Sequence, residues 1–139
     1  MKLFNKKSKD IIKNNHNWKI EKNCLNLIFE AAKSTFPNEF GGLLRVDDEN
    51  KNIISELILL PGTISGDSHT IFKLHMMPID FNVVGTVHSH PSNSYYPSEG
   101  DLYLFQKHGK IHIIVAHPYS LDSFRTYNQL GKSVNIEII

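Results

Sequence analysis

Residues 85–91 read Gly85-Thr86-Val87-His88-Ser89-His90-Pro91, and a polar loop then leads to Ser98 and Asp101. On an extended backbone, side chains two positions apart lie on the same face of a sheet. His88 and His90 therefore project together from the end of a strand, and Pro91 turns the chain out of the sheet immediately afterwards. Two imidazoles held side by side are half of a tetrahedral zinc site, and a catalytic zinc takes three protein ligands with the fourth place left to water. A third strand position would lie too far along, so the third ligand has to come from elsewhere. Asp101 is the candidate: it falls in the first turn of the next helix, and the excursion between His90 and Ser98 is long enough to fold that helix start back over the strand end.

Working outward, Phe81–Ser89 contains the histidine strand, with Val83, Val84 and Val87 as its expected buried members. Ser98–His108 reads as a helix closed by Gly109, and Ile111–Ala116 as a strong central strand. Upstream, Asn23 is placed to cap a helix whose apolar positions Leu25, Ile28, Phe29 and Ala32 follow the helical period, and Pro37 stops it. Phe40–Val46 and a largely buried Ile53–Leu60 read as strands around a polar turn at 47–52. Pro61-Gly62 ends the second of these. A loop at 63–70, a short strand Ile71–His75 and a turn or helical stub at Met76–Asp80 follow. Two further short strands are expected within 123–128 and 133–139. This order of elements gives an α+β or α/β domain with a mixed, curved sheet.

The 139 residues suffice for one domain with a real core but not for two. A division into a basic N-terminal arm, 1–17, and one domain, 18–139, follows from charge: Lys2, Lys6, Lys7, Lys9 and Lys13 stand against Asp10 alone. Such an arm reads as a solvated terminus or as a contact for a polyanion. The net charge of +1 recommends neither nucleic acid nor membrane as a partner. No apolar run reaches transmembrane length, and residues 1–17 lack the apolar stretch of a signal peptide. Cys24 is the single cysteine, which excludes an internal disulfide and a cysteine-rich zinc knuckle and makes a reducing, cytoplasmic location the expectation. A metal site must therefore use imidazole and carboxylate, for which eight histidines are present.

Each of these residues has a plainer explanation. Ser98-x-x-Asp101 ahead of an apolar-periodic run resembles a capping box, which needs no metal. A His-x-His pair alone is weak in a chain with this many histidines. The joint pattern is far more specific, and capping is compatible with ligation, because a capped helix start holds Asp101 still. Glu39, read from position alone, is a glutamate at a strand end. His112, in an apolar strand, reads as a satisfied core or opposite-face residue, while His16, His69, His75 and His108 read as surface or loop, and His117 stays unassigned. Tyr95 and Tyr96 either shape an entrance or pack as aromatics. Cys24 has no partner that would make it a nucleophile.

The set His88-Ser89-His90-Pro91, Ser98 and Asp101, with Pro37-Asn38-Glu39-Phe40-Gly41-Gly42-Leu43-Leu44 upstream, resembles the signature of the JAMM (MPN+) metallopeptidases. The resemblance spans about residues 20–127 and matches every defining position. It implies a JAB1/MPN-like, cytidine deaminase-like fold: a curved mixed sheet flanked by helices. It also implies one zinc ion per chain on His88, His90 and Asp101, Glu39 as the base that takes a proton from the attacking water, and Ser98 as a hydrogen-bond donor to the developing oxyanion. Members of the family are isopeptidases, so the implied partner is a ubiquitin-like or sulfur-carrier protein cleaved after its C-terminus. The chain is too short for the long insertions with which eukaryotic members grip ubiquitin and looks like a compact prokaryotic member. A non-catalytic scaffold of the same fold and a zinc amidohydrolase acting on another small amide are the rival readings. A substrate tail would bind extended beside an exposed strand, for which 71–75 is the candidate.

Overall fold

The computed structural model describes residues 17–60 and 79–139. The strand expected at 71–75, the loop at 63–70 and the basic arm as far as residue 16 lie outside the described residues. In chain order the elements are β1 (Lys19–Ile20), α1 (Lys22–Thr35), β2 (Gly41–Val46), β3 (Ile53–Leu59), β4 (Val83–His90), α2 (Glu99–Lys107), β5 (Ile111–Ala116), β6 (Phe124–Asn128), β7 (Ser133–Val134) and β8 (Glu137–Ile138). All the strands among the described residues join one mixed sheet in the order β7-β6-β5-β4-β2-β3-β1-β8. The histidine strand β4 is interior to it, antiparallel to β2 and parallel to β5.

Strand β5 explains why the domain has helices on both faces. All six of its residues are buried. Ile111, Ile113 and Val115 pack into one cluster with Cys24, Leu25, Ile28, Phe29 and Ala32 of α1. Ile114, on the other face, packs with Phe105 of α2 and Tyr127 of β6. The period-2 alternation thus divides the core into an α1 side and an α2 side. Two glycines permit the close approaches around β4. A Cβ on Gly85 would lie 1.5 Å from the carbonyl oxygen of Ile111, so only glycine allows β4 and β5 to pair there. Gly109 closes α2 at φ +115°, a backbone conformation that strains other residues.

Several expectations are corrected. Helix α1 is not capped by Asn23, which lies within it; its N-cap is Glu21, with no side-chain cap bond. The exposed amide ends are instead met by distant backbone, Glu21 N donating to Ile54 O at 3.0 Å and Lys22 N to Ile139 O at 2.8 Å. Strand β3 is only partly buried: Ile54 is fully enclosed, while Glu56 and Leu59 face solvent. Strand β4 begins at Val83, and Phe81 is 92% exposed. Asp80 makes the difference, because its side chain accepts from Asn82 N and its carbonyl accepts from Val83 N, which holds a turn there. Val83 and Val84 are half-buried, and of the three expected valines only Val87 is fully enclosed. The segment 133–139 divides into β7 and β8 on opposite edges of the sheet.

Candidate metal centre

The pleat of β4 sets the site. Val87 and Ser89 point to the α1 side, where Val87 joins the core and the buried Ser89 Oγ accepts from Phe40 N at 2.9 Å. Thr86, His88 and His90 therefore point to the α2 side. On the neighbouring strands, Gly41 pairs with His88, and Ile114 and Ala116 pair with His88 and His90. The antiparallel ladder continues past the end of β2, since Ser89 N donates to Phe40 O at 3.0 Å. One further step puts Glu39 opposite His90 and on the same face. Its side chain is half-buried, and its charge is felt by both His90 and Tyr119.

Asp101 arrives from α2 by the capping geometry. Ser98 is the N-cap, its Oγ accepting from Asp101 N at 3.1 Å, and Ser98 N donates to Asp101 Oδ2 at 2.9 Å. This reciprocal box fixes the aspartate rotamer and turns its carboxylate toward β4. His88 Nε2 lies 3.1 Å from Asp101 Oδ1, and His90 Nε2 lies 3.2 Å from Asp101 Oδ2. The two Nε2 atoms are 3.2 Å apart. His90 Nδ1 lies 2.9 Å from Ser94 O. A carbonyl can only accept, so Nδ1 carries a proton; the neutral ring then has its lone pair on Nε2, whereas the protonated ring also donates from Nε2 to Asp101 Oδ2. Burial opposes a charged His90, but its hydrogen bonds to Asp101 and Ser94 and the fields of Asp101 and Glu39 outweigh it and raise its pKa. Burial likewise opposes an ionised Asp101, yet the His88 and His90 hydrogen bonds hold its carboxyl well below the usual carboxylate range.

These donors fit a zinc ion. With bonds of 2.0–2.1 Å, the edges of a tetrahedral zinc site measure about 3.3 Å. The two nitrogens stand 3.2 Å apart, close to that value, and each lies 3.1–3.2 Å from a different oxygen of the Asp101 carboxylate, which faces both. Three electron-pair donors facing one another at this range repel unless a cation or shared protons lie between them. Two neutral nitrogens and one carboxylate are also a donor set of catalytic rather than structural zinc, which leaves one position open. Among the described residues, His88, His90 and Asp101 form the one group of His, Cys, Asp or Glu side chains so placed.

The other singled-out residues divide as follows. Ser98 is exposed and serves as the cap, so its hydroxyl spends a lone pair on Asp101 N and keeps its proton available. His112 is a buried, satisfied core residue: Thr86 Oγ1 is 2.7 Å from its Nδ1, Gly109 O is 3.1 Å from its Nε2, and its ring stacks on Phe105 at 4.4 Å. His117 is exposed and lies against Phe36, with ring centroids 4.8 Å apart. Cys24 is buried, and burial together with Glu21 and Glu56 pushes its thiol up to about 11. Tyr95 packs while Tyr96 is exposed. Sequence reasoning did not find Tyr119, whose hydroxyl donates to His90 O at 3.3 Å, or the role of β6 behind the loop that carries Ser94. Tyr119 lies 29 residues from its partner, and no local pattern announces the contact.

With fold and site in place, comparison with known proteins supplies the class. Residues 21–127 match the model of the prokaryotic homologues of the JAB domain. The chain is 32% identical over 127 residues to a probable metalloprotease of Haloferax volcanii, covering 86% of this chain and 78% of that protein. A JAB1/MPN domain protein from Archaeoglobus fulgidus superposes with a TM-score of 0.71 at 45% identity, over 87% of this chain and 98% of that one. A structure described as a JAMM metalloprotease-like zinc site in the proteasome and signalosome gives a TM-score of 0.69 at 41% identity, over 88% and 97% of the two chains. The chain belongs to the JAB (JAMM/MPN) family, as a compact prokaryotic-type member with the JAB1/MPN fold. Within that family it is a metallopeptidase whose His88, His90 and Asp101 cluster fits a zinc site.

Proposed function

We propose that this chain hydrolyses the peptide or isopeptide bond after the C-terminus of a ubiquitin-like or sulfur-carrier protein, using one zinc ion held by His88, His90 and Asp101. The observation that carries the catalytic half is the convergence of those three donors at 3.1–3.2 Å, with Glu39 in register on the same face. The substrate half rests on the family's chemistry.

A zinc ion bound there supplies a Lewis acid that polarises the scissile carbonyl and makes water acidic near neutral pH. Glu39 takes a proton from the attacking water at its carboxylate and passes it to the departing amine nitrogen. Ser98 directs its O–H to the oxygen on which negative charge develops, while its lone pair remains on Asp101 N. The exposed Pro91–Ser94 stretch and exposed Ser98 leave this end of β4 open to a polypeptide substrate.

The test is cleavage of linear fusions and lysine-linked conjugates of several small ubiquitin-like proteins by the zinc-loaded chain, with and without chelator. Chelator-sensitive release of the intact modifier is expected. A chain that binds zinc and leaves every such conjugate whole, while hydrolysing a small amide, would move it to the amidohydrolases. Zinc binding with no hydrolysis of either would make it a scaffold.

A further inference from the structure

The carbonyl that orients His90 belongs to the Ser94–Tyr95 peptide, in a loop that is otherwise mostly exposed between Pro91 and Ser98. Within this loop the described bonds are weak, such as Ser94 N to Ser92 Oγ and Tyr96 N to Ser94 Oγ, both 3.3 Å. His117 N donates to Ser92 O at 2.9 Å near the start of the loop, and the hold on Tyr95 comes from β6. Tyr127 Oη donates to Tyr95 O at 2.7 Å. The Arg125 guanidinium lies over the Tyr95 ring, 4.7 Å from its centroid, and Arg125 Nη2 donates to Tyr95 Oη at 2.8 Å. Tyr127 is 4% exposed and stacks on Phe105. Burial pushes its phenol up to about 12, so the hydroxyl keeps the proton it donates.

The geometry points to Tyr127, assisted by Arg125, as a positioning residue for His90. It pins the Tyr95 carbonyl while Arg125 holds the Tyr95 ring. Tyr95, held at both its carbonyl and its side chain, fixes the Cα that ends the planar Ser94–Tyr95 peptide, whose Ser94 carbonyl is the acceptor for His90 Nδ1. Strand β6 contributes no donor to the cluster, yet it sets the orientation of one. This assignment rests on His90 being a zinc ligand. An outer partner that fixes a ligating imidazole is commonly worth 10–100-fold in metal affinity.

Tyr127→Phe removes the hydroxyl and keeps the ring on Phe105. Thr126→Val is the matched control: it removes a hydroxyl that donates to Val134 O from the adjacent residue, on the opposite face of the same strand. Zinc affinity of the full chain is read by competition with a chromogenic chelator, and the His90 ring nitrogens are read by long-range proton–nitrogen NMR. Tyr127→Phe should weaken zinc by about tenfold or more and shift the His90 Nδ1 resonance, while Thr126→Val stays within about twofold of the unaltered chain. Unchanged affinity in Tyr127→Phe, or equal weakening in both variants, would overturn the assignment. Failure of the unaltered chain to bind zinc would instead overturn the metal site, and this assignment with it.

Discussion

Ser98 is assigned two tasks that use opposite ends of one hydroxyl, and a pair of substitutions separates them. The cap uses a lone pair, which accepts from Asp101 N at 3.1 Å. The oxyanion role uses the O–H. Ser98→Ala removes both. The lost cap should cost about 1 kcal/mol, or a melting temperature lower by roughly 3–5 °C for a chain of this size. The lost donor should cost on the order of 10²–10³ in kcat, by comparison with other oxyanion donors. Ser98→Asp restores an acceptor without a donor. Its melting temperature should return close to that of the unaltered chain, while turnover stays as low as in Ser98→Ala. The assay is fusion cleavage at saturating substrate beside thermal unfolding, with bound zinc measured in each variant so that metal loss is not read as lost chemistry. Full turnover by zinc-loaded Ser98→Asp would refute the donor role and leave Ser98 as a cap alone.

Three further outcomes are expected. Glu39→Gln should keep its zinc and lose about 10² or more in kcat, and undiminished cleavage would remove Glu39 as the base. Burial, opposed by the weaker pull of the Gly109 and Phe105 carbonyls and reinforced by the charges of His88 and His108, lowers His112 from 6.5 to about 4. The unfolded chain therefore takes up a proton between those values that the folded chain refuses. His112 costs no stability above pH 6.5 and about 3 kcal/mol by pH 4; metal-free urea unfolding should show this acid loss, shallower in His112→Asn. Gly109→Ala places a Cβ 2.4 Å from Val84 O at φ +115°, so it should lose about 2 kcal/mol or more in the same assay, and an unchanged midpoint would count against that contact.

The site was more legible than the sheet, because its parts are local. His88, His90, Ser98 and Asp101 fall within 14 residues, and both the strand period and the capping box act over such distances. Glu39 needed the family resemblance: its place opposite His90 comes from pairing β2 with β4, which no single segment announces. The same limit explains the α1 cap, where backbone from Ile54 and Ile139 does what a local side chain was expected to do. Strands β1 and β8 have two residues each, too few for any alternation, and they exist because β1 pairs with β3 and β8 pairs with β1 across the length of the chain. The loop anchor is hidden in the same way, since Tyr127 and Arg125 lie 32 and 30 residues from Tyr95.

Titrating the metal-free chain with zinc, and recording the zinc X-ray absorption edge of the product, addresses the centre itself. One equivalent should bind, with two imidazole nitrogens and a carboxylate oxygen at about 2.0–2.1 Å, and both His88→Ala and Asp101→Ala should lose it. No stoichiometric binding, or full retention of zinc by those two variants, would contradict the assignment.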